Sequence, residues 1–114
     1  SRDISSFSNL ALDDKNIYVT DDVGQVHAFD LRTGASGWRQ EKLRGRGVSG
    51  PMYVDGRLVV GDAEGYVHYL APDDGSLLAR YRVGGGPVRA GIVDGDLLYV
   101  SASDTLAALR AVSR

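Results

Sequence analysis

The chain contains no cysteine. Disulfide frameworks, thiolate metal sites and cysteine nucleophiles are therefore excluded for these residues. Proline is scarce, at 3 residues of 114. No apolar run approaches the roughly 18–20 residues that a membrane-spanning helix needs. The opening stretch SRDISSFSN is polar and lacks a signal-peptide core, so the targeting segment of an exported form would have to lie outside this sequence. Positive charge is also short. There are 13 Lys and Arg against 15 Asp and Glu, a net charge of −2. Such a chain has no overall field to hold nucleic acid or an anionic membrane.

What is present is glycine, at 15 residues, with 43% apolar and 25% charged residues. That composition suits one folded domain rich in tight turns. Short alternating or apolar runs bounded by turn residues predict strands throughout. Asp55-Gly56 and Asp94-Gly95 each fit a two-residue hairpin turn, which needs the positive φ that glycine tolerates. The one helical candidate, TLAALRAV at 105–112, is read as a strand because of its place in a repeat.

That repeat is the main signal. Gly24 and Gly65, His27 and His68, and Gly34 and Gly75 are each 41 residues apart. A period near 40 made wholly of strands predicts the four-stranded blades of a β-propeller. The predicted units are 9–41, 50–83 and an incomplete third at 88–110. The expected fold class is thus all-β, about two and three-quarter antiparallel blades. Such a piece would expose sheet faces at both ends and an unpaired edge. It is therefore expected to be part of a larger ring, or to complete itself by self-association.

Ala28, Asp30, Thr33, Gly34 and Trp38 fit the pattern A-x-D-x-x-T-G-x-x-x-W. Asp30 and Thr33 can accept turn amides, Gly34 can take positive φ, and Trp38 can pack on a neighbouring blade. The second unit keeps Gly75 but has Tyr69, Ala71, Asp74 and Ala79 at the positions of Ala28, Asp30, Thr33 and Trp38. The pattern resembles the tryptophan-docking motif of quinoprotein (PQQ-like) propellers. More specifically, LVVGDAEGYVHYLAPDDGSLLARYRV (58–83), with SGPMYVDG before it and SASDTLAAL after it, resembles the C-terminal blades of the BamB-like outer-membrane protein assembly factors. The resemblance implies an eight-bladed propeller on the periplasmic face of the bacterial outer membrane, held there by a lipid anchor that these residues lack. It also implies a non-enzymatic scaffold that binds a protein partner, the POTRA domains of BamA, and aids insertion of β-barrel proteins. The final unit departs from the repeat at Ser103-Asp104-Thr105, where a glycine is missing.

Other features read as scaffold. His27 and His68 recur because a blade position recurs, which points to packing rather than metal ligation. The pairs Asp13-Asp14, Asp21-Asp22 and Asp73-Asp74 lack the alternating acidic loop and closing Glu of a Ca²⁺ site. Gly84-Gly85-Gly86 has no following Gly-Lys-Ser/Thr and reads as a flexible connection. No nucleophile elbow or other catalytic constellation occurs, so no catalytic residue, metal or cofactor is expected. The candidate partner-binding loop is the basic stretch with Arg39, Lys42, Arg44 and Arg46. The alternative function is a piece of a PQQ-dependent dehydrogenase propeller. It would need central Ca²⁺ ligands and a catalytic Asp, which these residues do not match.

Overall fold

Alternating side chains and glycine-ended turns produce eleven strands and no helix among the described residues. The structure is a computed structural model that describes residues 7–103 and 105–110. Asp104, in the turn that lacks the repeat's glycine, lies outside the described residues. Strands β1 (Phe7–Leu12), β2 (Asn16–Asp21), β3 (Val26–Asp30) and β4 (Ser36–Gln40) form the first sheet in that order. Strands β5 (Met52–Val54), β6 (Arg57–Gly61), β7 (Tyr66–Leu70) and β8 (Leu77–Arg82) form the second. The third has three strands, β9 (Val88–Asp94), β10 (Leu97–Ala102) and β11 (Thr105–Arg110). Every pairing is antiparallel between chain neighbours.

Two hairpins show how local chemistry sets register. Between β5 and β6 the loop is Asp55-Gly56, with φ of +46° and +83°. Both are positive, as a type I′ turn requires. Between β9 and β10 the turn differs from the sequence expectation. Asp94 pairs with Leu97, so the loop is Gly95-Asp96, with Gly95 at φ +63°. Glycine at the first central position is the type II′ choice, and it leaves Asp94 in the ladder. Further along the same hairpin, register slips between Tyr99 and Ser101. A Cβ on Gly91 would sit 2.1 Å from the Tyr99 carbonyl oxygen, so only glycine fits this bulge.

The core lies between sheets. Tyr18, Val26 and Ala28 of the first sheet meet Leu58, Val60 and Leu70 of the second, with Leu43 and Val48 from the connecting loop. The other face of the second sheet, Val59, Val67 and Tyr69, meets Leu98, Val100 and Ala102 of the third. The middle sheet is thus buried on both faces. This explains why Leu58-Val59-Val60 is a continuous apolar run rather than an alternating one. On the remote face of the first sheet Leu12 is 58% exposed, and on that of the third Leu106 is 73% exposed.

Candidate functional site

The turn between β3 and β4 is built by its own polar atoms. Asp30 Oδ1 accepts the amides of Arg32 (2.8 Å) and Thr33 (3.0 Å). Thr33 Oγ1 accepts the Ala35 amide at 3.2 Å. Gly34 sits at φ +74° and donates its amide to the Asp30 carbonyl. The amides of Thr33 and Arg32 hold the Asp30 carboxyl below the usual carboxylate range. This turn launches β4 and with it Trp38. The indole Nε1 donates to the Pro72 carbonyl of the second sheet at 2.8 Å. The ring lies on Gly75, where an added Cβ would meet Trp38 Cε3 at 2.3 Å. Gln40 Nε2 donates to the Gly75 carbonyl at 2.7 Å. The turn of one sheet therefore presents the tryptophan, and the matching turn of the next sheet receives it.

The second sheet docks onto the third by a different residue. Register places Tyr69 opposite Ala79, which occupies the outer-strand position of Trp38. Large and small have exchanged strands: Ala28 with Trp38 in the first sheet, Tyr69 with Ala79 in the second. Tyr69 Oη donates to the Arg110 carbonyl of the third sheet at 2.7 Å. Its ring meets Tyr81 edge-on at 5.8 Å. Burial raises the Tyr69 phenol above its ordinary pKa. In both junctions an aromatic N–H or O–H donates to a backbone carbonyl of the following sheet.

The two histidines are locked by aspartates six residues earlier. Asp21 Oδ1 accepts the Val23 and Gln25 amides, and its Oδ2 lies 2.8 Å from His27 Nε2. Asp62 Oδ1 accepts the Glu64 and Tyr66 amides, and its Oδ2 lies 2.7 Å from His68 Nε2. Each aspartate closes the turn before the third strand and orients the imidazole across it. The third sheet drops both partners at once. Val60 pairs with His68 and Val100 with Ala107, so Ala102 and Ala107 stand where Asp62 and His68 would be. Losing both avoids a buried charge without its partner.

The basic loop between β4 and β5 is not uniform. Arg39 pairs with Glu41 at 2.6 Å, with both side chains half exposed. Arg46 turns inward. Its Nε and Nη2 lie 2.9 and 2.8 Å from Asp62 Oδ2, and Asp62 is fully buried. Burial raises the Asp62 pKa, but bonds from His68, the Tyr66 amide, Arg46 and the Glu64 amide outweigh it and hold the carboxyl below its ordinary value. Leu43 is buried in the first inter-sheet core. The amide of Gly45 bonds to the Val23 carbonyl and the amide of Ala63 to the Arg46 carbonyl. Lys42 and Arg44 remain exposed. The Arg46–Asp62–His68 link was not legible in the sequence. Its one signal there is the Asp six residues before each repeated His. Among the described residues, no three His, Asp or Glu side chains gather to hold a metal ion.

Antiparallel sheets stacked face to face, the first docked on the second through Trp38 and the second on the third through Tyr69, define the chain as part of an all-β propeller of the PQQ-like repeat class. The sequence profile described as Outer membrane protein assembly factor BamB matches residues 1–40 and 23–114. The chain belongs to that family. It is 44% identical over 114 residues to the outer membrane protein assembly factor BamB of Alkalilimnicola ehrlichii, covering 98% of this chain and 30% of that protein. It is 42% identical over 88 residues to BamB of Bordetella pertussis, covering 77% of this chain and 23% of that protein. The crystal structure of BamB from Moraxella catarrhalis superposes with a TM-score of 0.79 at 27% identity, over 88% of this chain and 30% of that one. The chain thus spans less than a third of the length of each of these relatives.

Proposed function

We propose that the chain acts as a non-enzymatic, protein-binding scaffold in the assembly and insertion of outer-membrane β-barrel proteins. It works at the periplasmic face of the bacterial outer membrane. The observation that carries this reading is the 44% identity to a BamB assembly factor across 98% of the chain. The docked sheets support it, because a rigid frame with exposed loops is what recognition by a scaffold needs. The relatives that match bear the assembly-factor name, which favours this reading over a PQQ-dependent dehydrogenase. The proposed partner is the POTRA region of BamA, and the proposed contact is the loop carrying Arg39, Lys42, Arg44 and Arg46. Within that loop Lys42 and Arg44 carry the contact, since Arg39 and Arg46 are paired within the chain.

The test is genetic and biochemical. The gene encoding the chain is deleted, and the folded fraction of outer-membrane barrels is read from their heat-modifiable migration in gels. A drop that the wild-type gene restores supports the assembly role. Unchanged folded barrels would refute it.

A further inference from the structure

Tyr66, half-buried at the start of β7, is surrounded by three guanidinium groups. Arg80 Cζ lies 5.0 Å from the ring centroid, and Arg46 and Arg82 each lie 5.8 Å away. They arrive from two places. Arg46 comes from the loop before β5. Arg80 and Arg82 occupy alternate positions of β8, with Arg82 opposite Tyr66 and Arg80 opposite His68. Pairing across the two strands and the two-residue period therefore gather them on one face of the sheet.

Their charges are not equally balanced. Arg46 is held by Asp62 and lies 3.6 Å from Glu64. Among the described residues, the arginine ion pairs involve Arg39, Arg46 and Arg110, and neither Arg80 nor Arg82 makes one. Arg82 Nε reaches only the Gly84 carbonyl, at 3.4 Å. Both side chains are exposed. The π face of Tyr66 attracts the cations and fixes their positions, but it does not neutralise them. Two positioned, unpaired guanidinium forks are the arrangement that takes carboxylates bidentately.

We propose that Tyr66, Arg80 and Arg82 form a docking site for an extended acidic segment of a protein partner, with carboxylates on alternate residues. Positions i and i+2 of β8 stand about 7 Å apart, the spacing of alternate side chains on an extended peptide. Carboxylates at that spacing meet both forks without bending the ligand. A protein segment is favoured over an anionic bilayer because the two forks sit at the fixed alternate positions of one strand, a spacing matched by alternate residues of an extended peptide and not by headgroups in a fluid layer. The site is separate from the Lys42 and Arg44 contact and does not rest on the assembly role.

The test is fluorescence anisotropy on the full chain with a short labelled peptide that alternates Glu and Ser. Binding should be saturable, weakened by salt, and absent for the same peptide with Gln in place of Glu. Replacing both arginines, Arg80→Gln with Arg82→Gln, should weaken it by at least about tenfold. Arg32→Gln, in the turn between β3 and β4 and away from β8, should leave it unchanged. Trp38 fluorescence reports whether each variant is folded, and Arg82→Gln alone carries the comparison if the double variant is not. No binding of the Glu peptide would overturn the proposal, as would equal loss in Arg32→Gln or an unchanged affinity in the double variant. Binding to phosphatidylglycerol vesicles in place of the peptide would assign the surface to lipid and overturn it too. The readout involves no assembly machinery, so its failure is distinct from failure of the proposed function.

Discussion

Gly75→Ala tests the docking geometry between the first two sheets most sharply, because Gly34→Ala is its built-in control. Both glycines end the same kind of turn, at φ +75° and +74°. Forcing a Cβ into that left-handed region costs about 1–2 kcal/mol at either site. At Gly34 nothing lies within 4 Å of the new atom, so the backbone term is the whole effect. At Gly75 the new atom falls 2.3 Å from Trp38 Cε3, well inside contact distance. The indole must then retreat, which adds an overpacking cost of about 1–3 kcal/mol and weakens a hydrogen bond of about 1 kcal/mol. Gly75→Ala should therefore destabilise by about 3–6 kcal/mol and Gly34→Ala by about 1–2 kcal/mol. Urea unfolding followed by far-UV circular dichroism measures both. In a Trp38→Ala background the excess at Gly75 should vanish, leaving two similar values. Equal effects in the wild-type background, or an excess that survives loss of the indole, would refute the docking geometry.

Three further outcomes follow from the same contacts. Tyr69→Phe removes the hydroxyl that donates to Arg110, and should cost about 1 kcal/mol and speed amide hydrogen exchange in β11 while leaving β2 and β3 unchanged. Trp38→Phe keeps a ring on Gly75 but loses the bond to Pro72, so it should cost less than Trp38→Ala in a calorimetric melt. The folded-state pKa values of Asp21 and Asp62 lie below the ordinary carboxylate value of 3.8. The unfolded chain therefore binds more protons in acid, and the stability these groups supply is full above that value and lost as pH falls below it through the lower folded-state values. Denaturant titrations across acidic pH should show this loss. Asp62→Asn should be less stable near neutrality and flatter in acid, and a slope identical to wild type would contradict the assignment.

Much of the architecture is legible in the sequence because its causes are local. Period-two alternation marks the strands, and the 41-residue echo of Gly24, His27 and Gly34 marks the repeat. Asp55-Gly56 sets its hairpin by φ alone. The second hairpin is ambiguous in sequence, because Asp94-Gly95 and Gly95-Asp96 both make good turns. The bulge at Gly91 and the ladder to Leu97 choose the latter. The docking turn of Asp30, Thr33 and Gly34 is likewise a short-range device, visible as a motif. Its counterpart in the second sheet is not. Tyr69 replaces Trp38 as the aromatic donor only through the pairing of β7 with β8 and the approach of Arg110, neither of which is a sequence pattern. Nor does charge counting separate Arg46 from Arg44. One is drawn to a buried carboxylate 16 residues away while the other stays in solvent. The cluster around Tyr66 is hidden for the same reason, since Arg46 precedes Tyr66 and Arg80 and Arg82 follow it at long separations, and only the fold gathers them round the ring.

Isothermal titration of the chain with the isolated POTRA domains of BamA tests the scaffold role most directly. The proposed function predicts a saturable isotherm, weakened by salt and by the paired change Lys42→Gln with Arg44→Gln. A flat titration with both proteins folded would contradict it.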